Sequence, residues 1–164
     1  MHPGNQPGPA GSRPRIPAVE QLVDDGLDAV VCTGDPGVVR GLLAELADRG
    51  DTALWEAAVL LLGLLATRPV YGLGEHQGVE RLRQVARTAD PGTAMVLSLQ
   101  AVHRSEGTIA AHDTWQQAPA ANRELTLKQL LIAAACTIGA DHGRLDPQRT
   151  VRLIRAAVID ATAP

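Results

Sequence analysis

Aromatic residues are scarce in this chain: no phenylalanine, one tyrosine (Tyr71) and two tryptophans (Trp55 and Trp115) among 164 residues. The aromatic and β-branched alternation of a sandwich or barrel is therefore missing. Lysine is nearly absent too. Lys128 stands alone among the 15 basic residues and the rest are arginine, a bias that high-GC coding produces by itself. Net charge is -3 with a pI near 5.9, so the chain lacks the overall basic character of a nucleic-acid binder. The two cysteines, Cys32 and Cys136, form no metal-type pair and read as small buried hydrophobes in a reducing compartment, although spacing leaves a bridge between them open. No apolar secretory core precedes Arg15, and the Pro, Gly and Ser content of "MHPGNQPGPAGSRPR" predicts a disordered tail over residues 1–15.

Hydrophobic residues make up 45% of the sequence, drawn almost wholly from Leu, Val, Ile and Ala. Their spacing is helical. Val19, Leu22, Val23, Leu27, Val30 and Val31 share one face, opposite Glu20, Asp24, Asp25 and Asp28, with Pro17 suited to the first turn. Asp-Pro pairs begin at 35, 90 and 146, each a side-chain cap followed by a residue that needs no N–H partner. The even spacing invites a repeat reading, but the blocks align on little except the caps, so convergent helix starts explain it better.

Two segments are apolar almost all round. In "ALWEAAVLLLGLLATRP", capped by Asp51 or Thr52, only Glu56 and Gly63 fall outside the apolar set up to Ala66. That run of fourteen is short of the roughly twenty residues a bilayer requires, so lipid is the least favoured partner. In "ELTLKQLLIAAACTIGA", Leu130 to Cys136 are all apolar. A helix without a polar face is normally enclosed by neighbours. The expectation is thus an all-α bundle of six to eight helices in one domain over residues 16–164. Residues 54–66 and 127–138 form its most buried helices, with one flank open if a second chain supplies the cover.

Chemistry-bearing patterns are thin. The five histidines are scattered without the i, i+4 spacing of a helical metal site, and no cofactor or metal is implied. No GxSxG elbow surrounds Ser98 or Ser105. "VYGLGEHQG" (70–78) follows a helix instead of a strand and lacks the Lys-Ser/Thr of a phosphate loop, so it reads as a flexible connection. Its Tyr71 is a candidate contact residue. The acidic face from Glu20 to Asp28 reads as solvated. At the C-terminus, "LDPQRTVRLIRAAV" echoes a recognition helix with Arg149, Arg152 and Arg155 on one side. The separation of Thr126 from Thr150 is too long for a helix-turn-helix.

Three functional readings follow. The leading one is a non-enzymatic, self-associating protein-interaction or regulatory module in the cytoplasm, whose partner is a second copy in a homodimer and whose surface includes Tyr71, Trp115 and the three C-terminal arginines. The second is a DNA-binding regulator that uses those arginines. The third is a small-molecule-binding or enzymatic pocket lined by leucines, Met95 and Trp115. No membrane is implied.

Overall fold

The computed structural model describes residues 17–141. Among them 87% are helical and no strand occurs, so the domain is an all-α helical bundle. Seven α-helices follow in order: α1 (Val19–Asp28), α2 (Pro36–Arg49), α3 (Asp51–Leu65), α4 (Glu75–Thr88), α5 (Pro91–Glu106), α6 (Thr108–Gln117) and α7 (Arg123–Asp141). The residue 1–15 tail, His142, the third Asp-Pro pair and the final expected helix lie outside the described residues.

The two apolar segments occupy the centre. Helix α3 touches α1, α2, α5, α6 and α7, while α7 packs on α1, α2, α3 and α5. Leu61, Leu62, Leu99, Leu127, Leu130 and Trp115 are the large side chains at the bottom of the core. The approach of α1 to α7 is close at Gly26, where a Cβ would lie 3.1 Å from a Leu131 methyl. Helices α4 and α5 pair with each other around a smaller cluster of Val79, Leu82 and Ala101.

Helix starts follow the capping logic at two of the Asp-Pro sites. Asp35 accepts from the Gly37 N–H at 2.8 Å, and Asp90 accepts from the Thr93 N–H at 3.1 Å. Two expected starts are corrected. Pro17 precedes α1 instead of opening it, because the first helical residue is Val19. No side chain caps α3: Gly50, at φ +106°, turns the chain between α2 and α3, and Asp51 enters the first turn. Freed from capping, Asp51 pairs at 2.7 Å with Arg123 at the start of α7 and so ties the two central helices together.

Other departures are local. Helix α1 widens into a π-helical turn over Ala29–Thr33 before Gly34 ends it at φ +65°. Cys32 continues the exposed face of Asp28, four residues earlier, to which its thiol donates, so it is an exposed free thiol instead of a core residue; Cys136 is free and half-buried, with burial pushing its thiol pKa up. The 70–78 connection is not plain loop. A 3-10 turn spans Val70–Gly72, and α4 begins at Glu75, inside the stretch read as a connection.

Helix α3 is enclosed on one side only. It buries Ala53, Leu54, Ala57, Ala58, Leu61, Leu62 and Leu65, whereas Trp55, Val59 and Leu64 are half-buried and Leu60 is 38% exposed. Its apolar residues exceed what its five neighbouring helices cover. By length and composition alone the stretch Asp51–Gly72 would suffice to cross a membrane, but its helix is interrupted after Leu65 and its buried side chains face protein.

Candidate functional site

The uncovered flank of α3 forms the floor of an open groove of about 520 Å³. Trp55, Val59 and Leu60 line the floor, Ala18 and Val19 at the start of α1 form one wall, and Thr108 at the start of α6 forms the other. Its two ionisable lining residues, Glu20 and Glu56, are exposed acids. The groove is therefore apolar at its base with negative charge at its edge. Next to Thr108, Ile109 stands 83% exposed, the most protruding large hydrophobe among the described residues.

An aromatic cluster supports the floor. The Trp55 ring lies 4.9 Å from His112 and 5.7 Å from Trp115, both tilted. Trp115, expected at a contact surface, is instead 0% exposed: its α6 position points into the α3–α7 core, and its Nε1 has no hydrogen-bond partner. It buttresses Trp55 from below and cannot itself meet a partner. Met95 is half-buried against the same core.

The root of the N-terminal segment is held beside the groove. The Arg49 guanidinium donates to the Pro17 carbonyl and pairs at 3.0 Å with Glu45, so the chain enters the bundle at a fixed point next to Ala18.

Tyr71 lies on the opposite end of α3, 61% exposed and at φ +53°, a left-handed conformation that a tyrosine adopts only when its surroundings impose it. Close to this turn, Gly78 is buried against Val70. A Cβ there would fall 2.9 Å from the Val70 Cβ. Beneath this turn, Arg104 is an interior cation with a side chain 4% exposed. It donates to the carbonyls of Leu65 and Arg68 at the end of α3 and pairs with Glu75 at 3.5 Å. The neighbouring His103 has its pKa lowered, first by burial and then by the Arg104 charge. At the start of α5, the side-chain and backbone hydrogen bonds of Thr93 hold the Asp90 carboxyl below its ordinary value.

Neither end of the molecule assembles a reaction centre from the described residues. No group of three His, Cys, Asp or Glu side chains is placed to hold a metal ion among them. His76 is exposed, His112 stacks on Trp55, and Ser105 donates to the Ala101 carbonyl and accepts from Arg83. Arg149, Arg152 and Arg155 lie outside the described residues.

Ile109 and the groove-edge residue Glu20 escaped recognition from sequence for a definite reason. Ile109 is out of phase with the Ala111–Trp115 spacing of α6, and that dephasing was the available signal. Glu20 was grouped with Asp24 and Asp28 as solvated face, although its place at the first turn of α1 puts it at the groove edge. Comparison with protein-family models, curated proteins and solved structures finds no match.

Proposed function

We propose that this domain is a non-enzymatic protein-docking module that associates with a second copy of itself through the groove and the adjoining Ile109 ridge. The observation that carries the reading is the 83% exposure of Ile109 directly after Thr108, a wall of the groove. Ile109 follows the wall residue Thr108, and an apolar protrusion beside an apolar recess supplies the two halves of a self-complementary contact, in which each ridge enters the other copy's recess about a two-fold axis. Burying an Ile side chain contributes about 1.5–3 kcal/mol, and symmetry supplies the contact twice. The half-buried Trp55 adds the rigid aromatic floor on which association energy concentrates. The exposed free thiol of Cys32 fits a reducing, cytoplasmic setting.

Photo-crosslinking tests the geometry. With benzoylphenylalanine in place of Ile109, irradiation is expected to give a dimer-mass product whose cross-linked peptides contain Val19, Trp55 or Leu60. Products confined to monomer mass, or dimers joined at peptides outside the groove, would overturn the reading.

A further inference from the structure

The chain holds a candidate ligand for this groove in the residues immediately before it. We propose that Arg13–Ile16 folds back in cis over the groove, with Arg13 and Arg15 on the Glu20 and Glu56 carboxylates and Pro14 and Ile16 on the Trp55–Leu60 floor. The inference rests on the groove being the docking surface and names the chemistry that it accepts: a short, extended, cationic and proline-containing segment.

Three observations converge on this occupant. Tethering comes first. Ala18 and Val19 are part of the groove wall, and Arg49 holds the Pro17 carbonyl beside it, so the preceding residues leave from its edge. A tether this short gives an effective concentration on the order of millimolar. Four extended residues reach about 13 Å, enough to pass along the roughly 7.5 Å that α3 rises from Trp55 to Leu60.

Conformation comes second. Arg13 and Ile16 each precede a proline, which biases both toward extended or polyproline II backbone. Successive side chains of an extended strand project to opposite sides. The sequence Arg-Pro-Arg-Ile therefore separates into a cationic edge and an apolar edge. In the extended form Pro14 also fixes its own φ, so less conformational entropy is lost when the segment is held.

Charge is the third. Both ionisable residues lining the groove are acidic, and both ionisable residues of Arg13–Ile16 are arginines. The docked arm covers Trp55, so it competes with the second copy for the same floor.

Acrylamide quenching of tryptophan emission in the full-length chain tests the proposal, because Trp115 is sealed in the core and Trp55 reports the groove. The Arg13→Glu/Arg15→Glu variant should show a quenching constant at least twofold above that of the parent at low salt. The parent should rise toward the variant's value in 0.5 M salt, and a free peptide of residues 1–16 should restore protection to the variant. Equal constants for parent and variant would overturn the proposal. The comparison is made at a protein concentration where light scattering gives monomer mass, so that a second copy does not shield Trp55. Protection that survives both arginine changes would also overturn it, by assigning the cover to another segment. The two readings fail separately. A dimer joined through Ile109 with no arm effect removes only the cis contact, whereas arm protection in a permanent monomer removes only self-association.

Discussion

Trp55 and Trp115 lie 5.7 Å apart with their rings tilted by 48°, yet only Trp55 reaches solvent. The pair is one aromatic column running from the core to the groove floor. Replacing Trp55 with Phe should abolish the quenchable part of the emission and leave a blue, protected Trp115 spectrum. Replacing Trp115 with Phe should leave a quenchable Trp55. Truncating Trp115 to Ala should destabilise the fold by about 3–5 kcal/mol. The Phe variant should cost much less, because the lost indole N–H has no acceptor in the core. Urea unfolding and steady-state fluorescence check both.

The Arg104 guanidinium should be a stability determinant of the far end of α3. It satisfies carbonyls of Leu65 and Arg68 from a site with almost no solvent. Arg104→Ala leaves those helix-end acceptors without their donor and is expected to cost about 1–3 kcal/mol, or about 2–4 °C of Tm for each kcal/mol. Arg104→Lys should recover only part of the loss, since one ammonium cannot reproduce the planar fork. Scanning calorimetry of both variants reads the difference.

The packing of Val70 on α4 should depend on Gly78. Gly78→Ala forces its methyl against Val70 and is expected to destabilise by about 1–3 kcal/mol. Adding Val70→Ala should return much of that loss, so the double variant departs from additivity. Additive costs would show that the two residues do not press on one another.

Acid should weaken the fold in two stages. The folded-state pKa of His103 is depressed below its ordinary 6.5, so above that pH both states are neutral and the residue has no effect. As pH falls below 6.5 the unfolded chain takes up the proton first, and stability declines until the folded form also protonates. His103→Gln should flatten this stage. Asp90 acts in the same direction at lower pH: its lowered pKa gives stability that is present above about 3.8 and lost as pH falls through the folded value. Asp90→Asn, which still offers a capping oxygen, should remove that second stage. Urea midpoints measured across pH 3–8 separate the two.

Helix type and core were legible because 3.6-residue spacing and Asp-Pro caps act locally: Leu22, Val23, Val30 and Val31 are buried on their expected face. Segments 54–66 and 127–138 were recognisable as central because they lack a polar face. What escaped were properties set by packing between helices. Trp115 looked like a surface aromatic until α3 and α7 enclosed it. Cys32 looked like core, yet it lies on the exposed face of Asp28, four residues before it. The groove depends on which flank of α3 its neighbours leave open, and no periodicity within α3 encodes that choice.

The central claim is that the open flank of α3 and the Ile109 ridge are a surface for a second copy. Light scattering over a concentration series, at a salt concentration that releases the N-terminal arm, measures it directly. The parent should rise from monomer to dimer mass with concentration, and Leu60→Glu and Ile109→Glu should each stay monomeric while retaining parental helix content. A parent that remains monomeric throughout, or a dimer that survives both substitutions, would contradict the account.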